Sequence, residues 1–169
     1  MFRPAQPEVK LLREGHIPIG QHRLRLGTTI HEVARTLGLD PAMPAHRWKE
    51  RDGSDGCWWM LDCGFLWYPP PGHKSVKFVF HANALESVHG VDPSWESSGH
   101  SWETYDPAVD IRNYRKSRRD LELRLGRPTS INEAHEAHLV ALWQLGVVEV
   151  SVVREARTPS VGIYVGSRR

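Results

Sequence analysis

The sequence predicts an α+β fold, in which an antiparallel sheet carries a few short helices packed on one face. Short apolar runs, alternating or β-branched and bounded by Gly, Pro, Asn and Asp, occur in both halves of the chain, as strands require. The segment 30–37, by contrast, has the apolar spacing of a helix. The 169 residues are enough for one domain or for two small subdomains that share a core.

The segment Leu24–Gly38 carries the clearest helix start and stop signals of the chain. Thr29 and Glu32 have the spacing of a capping box, in which each side chain bonds a free backbone N–H of the other residue. Gly38 suits the left-handed position after a helix, and Pro41 prevents continuation. We expect a two-turn helix whose apolar face packs on the Trp-rich strands that follow, through Ile30, Val33, Ala34 and Leu37.

The first half continues as a Trp-rich antiparallel meander over residues 16–91. The run Cys57–Tyr68 predicts two short strands or one bulged strand. Lys74–His81 alternates, with Val and Phe on one face and Lys77 on the other, and Leu85–Val91 predicts the next strand. Residues 1–15, which precede this meander, are expected to form a flexible N-terminus.

The second half, 111–169, predicts one helix followed by a three-stranded meander. The helix is expected over 111–125, ended by Gly126 and Pro128, and Thr129–Glu133 repeats the capping spacing. Strands are expected over 137–146, 147–153 and 161–165. The sequence also contains a candidate internal repeat, because Leu123–Gly126 and the residues after it have the same pattern as Leu24–Gly27 and the residues after it. The two halves are then similar units. The alternative is a chance match between common residues.

Composition excludes few function classes. The formal net charge of +2 gives no global attraction to nucleic acid or membrane. The sequence shows no signal peptide and no apolar run of the roughly 18 residues that a membrane span needs, so a cytoplasmic protein is expected. Cys57 and Cys63 are interpreted as buried free thiols, with a disulfide as the alternative.

The segment Asp92–Asp110 differs from the rest because it is acidic and aromatic and contains no Lys or Arg. Pro, Ser and Gly residues predict a long loop, and long loops in compact domains are usually functional or disordered. Carboxylates and aromatic anchors together suit the binding of a basic protein groove, whereas a solvated loop with its Trp residues folded onto the core is the alternative. The predicted partner-binding residues are Asp92, Trp95, Glu96, Trp102, Glu103, Tyr105 and Asp106.

A basic cluster follows at Arg112–Arg119, with five cations within eight residues. At helical spacing these charges are expected to spread around most of the helix and to pair with neighbouring acids. Contact with nucleic-acid phosphates is the alternative.

No motif predicts catalysis, a cofactor or a metal. His135 and His138 stand three apart without an identifiable third ligand, and His31 belongs to no zinc-protease motif. Cys57, Cys63, His73, His81 and His89 are near in sequence, but the Cys spacing does not match structural zinc sites. The sequence therefore predicts no catalytic, cofactor-binding or metal-binding residues, and a His-rich enzyme acting through His81 or His135 is the alternative.

The pattern Leu-x-Leu-Gly-Thr-Thr-x-x-Glu-Val-x-x-x-Leu-Gly at 24–38, followed by Val-Lys-Phe-Val-Phe and Leu-Glu-Ser-Val, resembles two groups of proteins. One comprises helix-plus-antiparallel-sheet modules of the SmpA and β-lactamase-inhibitor-protein type. The other comprises bacterial immunity proteins encoded beside polymorphic toxins. The resemblance covers about residues 16–91, and this chain shows no lipoprotein signal. It implies a non-enzymatic protein that binds and occludes a cognate toxin. The acidic loop points to a toxin with a basic active-site groove, such as a nuclease or deaminase.

Overall fold

The computed structural model describes residues 7–40, 46–61, 76–92, 106–156 and 160–168. Three helices are described: α1 (Pro7–Arg13), α2 (Ile30–Leu37) and α3 (Pro107–Leu125). None of these helices is both long enough and apolar enough to cross a bilayer. A small hairpin comprises β1 (His16–Ile19) and β2 (His22–Arg25). The main sheet comprises β3 (His46–Lys49), β4 (Asp55–Leu61), β5 (Val76–His81), β6 (Ala84–Asp92), β7 (Ser130–His135), β8 (His138–Leu145), β9 (Val148–Glu155) and β10 (Ser160–Ser167).

The main sheet is antiparallel, with the strand order β3-β4-β5-β6-β10-β9-β8-β7. Each half of the chain contributes a four-stranded meander, and the last strand of each meets the other at the centre of the sheet. From either edge of the sheet to its centre, the four strands therefore follow one another in chain order. This architecture confirms the α+β prediction in its coarse form, a largely antiparallel sheet with a few helices.

The buried side chains alternate along the strands, as a sheet with one fully buried face requires. Residues directly opposite each other in antiparallel strands point to the same side. One row of such buried residues crosses six strands and marks the side that we call the inner face: Trp143, Val150, Val165, Val88, Phe78 and Trp59. Buried residues of all three helices belong to the same hydrophobic cluster as this row.

Helix α2 forms as predicted. Thr29 accepts a hydrogen bond from the Glu32 N–H at 3.3 Å, and the Glu32 carboxylate accepts one from the Thr29 N–H at 3.1 Å. Gly38 closes the helix in the left-handed conformation, at φ 68°. Helix α2 lies against β2 and β6, and the expected partner, the Trp-rich run Cys57–Tyr68, is described only as far as Leu61. Its entry is bonded to the β5–β6 hairpin, since the Ile30 N–H donates to the Asn83 carbonyl.

Helix α3 starts four residues earlier than predicted. Asp106 is its N-cap and accepts from the Ala108 N–H at 2.9 Å, with Pro107 in the first turn. Asp110, assigned above to the acidic loop, is instead a fully buried residue of this helix. The helix ends at Gly126, as predicted.

Other expectations need correction. Residues 7–15 are not a flexible terminus, because α1 buries Val9 and Leu12 in the core. Thr129–Glu133 does not cap a helix: Ser130–His135 is strand β7, and the Thr129 hydroxyl accepts from the Gln144 N–H of the neighbouring strand at 3.0 Å. The second meander therefore has four strands rather than three.

Candidate functional site

The strand residues that alternate with the buried rows define a second side of the sheet, which we call the outer face. Its central row runs across five strands and is only half-buried. Its members, in order across the sheet, are Leu142, Ser151, Tyr164, His89 and Lys77. Aromatic, basic and hydroxyl side chains thus occupy the middle of this face, where the strands of the two halves meet.

His89 is the most constrained side chain of the row. Its Nε2 lies 2.8 Å from the Ser87 Oγ, and its ring meets the Tyr164 ring edge-on, with centroids 4.6 Å apart. Burial, reinforced by the positive charge of Lys77, lowers the pKa of His89 from 6.5 to about 4. His89 is therefore neutral at physiological pH, and one of its ring nitrogens is committed to Ser87.

Gly162 makes room for the Tyr164 ring. A Cβ atom at position 162 would lie 2.8 Å from Cε2 and from the hydroxyl oxygen of Tyr164, which is closer than such atoms approach. The ring therefore lies over the bare backbone of its own strand and reaches His89 on β6. Burial raises the pKa of Tyr164, and the carboxylate of Glu155 adds to this effect.

A second aromatic group lies at the β3–β4 end of the outer face. His46 stacks on Trp58 with ring centroids 5.4 Å apart, and on Trp48 at 6.1 Å. The Lys77 Nζ stands 4.8 Å from the centre of the Trp58 ring, within the range of a cation–π interaction. The Trp48 indole lies across Gly56, where any side chain would collide with it. We call His46, Trp48, Trp58 and Lys77 the aromatic patch.

Two Ser–His contacts resemble the nucleophile–base pair of a catalytic serine, but neither has the geometry that activation requires. The Ser54 Oγ donates to the Asp52 carboxylate at 2.6 Å, so its proton is not available to His81 Nε2 at 3.3 Å. Ser87 and His89 do form a hydroxyl–imidazole pair. Among the described residues, however, no carboxylate is hydrogen-bonded to His89 in the way that an activated serine requires.

The histidines considered as metal ligands are dispersed. Cys57 belongs to the inner side of β4, whereas His81 and His89 point to the outer face, so these three side chains cannot share one ion. His135 stands opposite His138, whose Nδ1 lies 3.0 Å from Glu155. Within the part of the chain that the structure describes, no three His, Cys, Asp or Glu residues are placed to hold a metal.

Cys57 is a buried free thiol, as expected, while Cys63 and His73 lie outside the described residues. Burial raises the pKa of the Cys57 thiol, with a smaller opposite effect of Arg47. A thiol in this environment is protonated at neutral pH and unreactive.

The predicted acidic aromatic loop is described only at its two ends. Asp92 is the last residue of β6, and Asp106 caps α3. Trp95, Glu96, Trp102, Glu103 and Tyr105 lie outside the described residues. The aromatic patch and the Ser87–His89–Tyr164 group were not predicted as a site. Alternation placed Lys77 on the outer side, but sequence spacing does not show which strands from distant segments become neighbours.

The basic cluster is arranged differently from the expectation. Four of its cations are exposed and stand at i, i+3, i+4 and i+7, which places them within an arc of about 100° on α3. Arg118 pairs with Glu133 at 2.5 Å, as the pairing hypothesis predicted. The other four form no ion pair within the described ranges, and we call them the α3 stripe: Arg112, Arg115, Lys116 and Arg119.

Comparison with known proteins yields one weak structural similarity. No family model matches the chain, and no curated protein sequence matches it. The chain is similar to a solved structure of a DUF4309 family protein, YjgB, from Bacillus subtilis, at 10% sequence identity and a TM-score of 0.43. That match covers 95% of this chain and 93% of the other. A similarity at this level does not establish a shared fold or function.

Proposed function

We propose that this is a non-enzymatic binding protein of the immunity or inhibitor type, which occludes a cognate bacterial toxin in the cytoplasm. The observation that carries the proposal is the aromatic patch on the half-buried outer face of the sheet. Trp, Tyr and cation–π pairs are the side chains that dominate the energetics of protein–protein interfaces, because they combine large area with few rotatable bonds.

The size of the outer face suits such a partner. Eight strands at a spacing of about 4.8 Å make a sheet about 34 Å across, and eight-residue strands span about 27 Å. A standard interface covers about 800 Å² on each partner, which this face can supply. We infer that the helices cover the inner face, which leaves the outer face to the partner.

The acidic loop extends the proposal to the nature of the toxin. Asp92 ends β6 opposite Val161 of the central strand β10. We propose that Trp95, Glu96, Trp102, Glu103, Tyr105, Asp92 and Asp106 contact a basic active-site groove, as in a nuclease or deaminase. Carboxylates there would accelerate association and give it a salt dependence.

The experiment is co-expression with the product of the neighbouring gene, followed by affinity purification and a growth-rescue assay. A one-to-one complex and rescued growth are expected for the native protein. Combining Glu96→Lys with Glu103→Lys is expected to slow association without changing the fold. Absence of both complex and rescue would refute the toxin assignment.

A second function is favoured by the α3 stripe, namely contact with nucleic-acid phosphates. Four exposed cations on one helix face, which form no ion pair with any residue that the structure describes, give the arrangement that phosphate backbones recruit. If all four contact phosphates of duplex DNA, log K against log salt should have a slope of about −3.6. Arg115→Gln should make that slope less steep by about 0.9. Absence of binding at low salt would remove this candidate.

A further inference from the structure

A cleft of about 420 Å³ lies between the β1–β2 hairpin and helix α2. Arg23 and Arg25 are two apart on β2 and share its solvent side, while the intervening Leu24 is buried in the core. Arg35 and Thr36 face them from the exposed side of α2. Three arginine side chains therefore line one concavity.

The walls of this cleft are fixed by backbone hydrogen bonds. The Thr28 N–H donates to the Arg25 carbonyl at 3.2 Å and closes the turn between β2 and α2. Two backbone hydrogen bonds attach the same turn to β6 of the main sheet. The Gly27 N–H donates to the Leu85 carbonyl at 2.8 Å, and the Leu85 N–H donates to the Thr28 carbonyl at 2.8 Å. A binding site held by rigid elements loses little entropy when it is occupied.

The residues that line the cleft carry a net positive charge. Glu32 is the one carboxylate among the lining residues, and it already accepts hydrogen bonds from the backbone and hydroxyl of Thr29, at 3.1 and 2.8 Å. In the described part of the chain, Arg23, Arg25 and Arg35 form no ion pair. Three arginines and one glutamate leave the lining with a charge of +2 when His16 is neutral.

We propose that this cleft binds a phosphate monoester. The guanidinium fork bonds two phosphate oxygens at once, and three forks around one concavity match the three free oxygens of a monoester. A monoester carries a charge between about −1.5 and −2 at pH 7, close to the opposite of the lining charge. The volume falls at the lower end of the range for small-molecule sites, about 300–1,000 Å³, and the Thr hydroxyls can donate to further oxygens.

The test is isothermal titration of the full chain with four probes: inorganic phosphate, a nucleoside 5′-monophosphate, and one short single-stranded oligonucleotide in two forms, with and without a 5′-phosphate. The expected result is saturable one-to-one binding of each probe with a free phosphate, and at least tenfold weaker binding of the oligonucleotide that lacks it. If inorganic phosphate binds most tightly, the cleft is a site for the free anion. If the nucleotide or the phosphorylated oligonucleotide binds most tightly, that probe identifies the class of the larger ligand.

A pair of variants makes the test specific. Arg23→Gln with Arg35→Gln removes two of the three forks, whereas the control, Arg51→Gln with Arg127→Gln, removes the same charge at positions outside both the cleft and the α3 stripe. All four arginines are exposed, so both proteins should fold, which circular dichroism checks. The cleft variant is expected to lose about a hundredfold in affinity for the nucleoside 5′-monophosphate and the control variant less than twofold. Equal losses in the two variants, or no binding of any probe at millimolar concentration, would overturn the proposal.

Discussion

His89 and Tyr164 face each other across β6 and β10, with their rings edge-on and their centroids 4.6 Å apart. These two strands are where the two halves of the chain join into one sheet. The contact therefore connects the halves on the outer face, opposite the buried pair Val88 and Val165 on the inner face. A neutral, desolvated imidazole at this joint makes the stability of the sheet sensitive to pH.

The low pKa of His89 predicts acid destabilisation in a defined window. The unfolded chain binds the proton at a pKa of about 6.5, whereas the folded protein resists it down to about 4. Stability is therefore complete above pH 6.5, falls as the pH drops towards 4, and levels off below. The loss is at most about 3 kcal/mol. Urea unfolding of the native protein and of His89→Gln at pH 7 and pH 4.5 measures it, and the variant should lose less. Titration of the His89 ring protons near pH 6.5 in an NMR experiment would contradict the assignment.

Gly162→Ala is expected to displace the Tyr164 ring. The added methyl group would lie 2.8 Å from that ring, so the ring must leave its position and lose its contact with His89. A cost of about 1 kcal/mol and a rise in the pKa of His89 are expected. Gly166→Ala is the matched control on the same strand, because its added Cβ would lie 3.5 Å from the Ser87 Cβ, in ordinary contact. Similar destabilisation by both substitutions would refute the role of Gly162.

Ala82→Gly is expected to stabilise the protein. Ala82 and Asn83 connect β5 and β6 with φ angles of 47° and 64°, as in a tight hairpin turn with two left-handed residues. Asn adopts this conformation at little cost, whereas Ala in it is strained by about 1–2 kcal/mol. The relief of strain should raise the free energy of unfolding, and the entropy that Gly adds to the unfolded chain should offset part of this gain. The expected net increase is about 0.5–1 kcal/mol. Asn83→Gly should change the unfolding free energy by a smaller amount. Destabilisation by Ala82→Gly in urea would show that the turn is unstrained.

The adjacent residues Trp58 and Trp59 should contribute unequally to stability. Trp59 is 1% exposed on the inner face and packs against Phe80, with ring centroids 5.2 Å apart, so Trp59→Ala should cost about 3–5 kcal/mol. Trp58 is half-buried on the outer face, and Trp58→Ala should cost about 1 kcal/mol or less, from the lost contacts with His46 and Lys77. Thermal unfolding of both variants checks this. Equal losses would mean that both faces are core.

The sequence predicted the parts of the fold that depend on local chemistry. The capping residues Thr29 and Glu32, the alternation along β5, and the stop at Gly126 follow from backbone bonding and periodicity within a few residues. Strand β7 was misassigned because Thr129–Glu133 has the spacing of a capping box, while pairing with β8 decides its conformation. Strand β3 was not predicted at all, since its four residues lie among turn signals and are stabilised by pairing with β4.

The site was harder to predict than the fold. The group of Ser87, His89 and Tyr164 joins residues from segments more than seventy positions apart, and no local pattern encodes that pairing. The α3 stripe could have been predicted, because the i, i+3, i+4 and i+7 spacing of its four residues already places them on one helix face. The arginine cleft combines β2 with α2, and charge spacing alone does not reveal that they enclose a concavity.

The central claim is that the outer face binds a protein partner through the aromatic patch, and one measurement tests it most directly. The native protein, Trp58→Ala and Lys77→Glu are each co-expressed with the product of the neighbouring gene, and the affinity of the purified proteins is measured by titration. We predict a tight one-to-one complex for the native protein, with affinity reduced about tenfold or more in each variant while folding is retained. A complex of unchanged affinity in both variants would contradict the account.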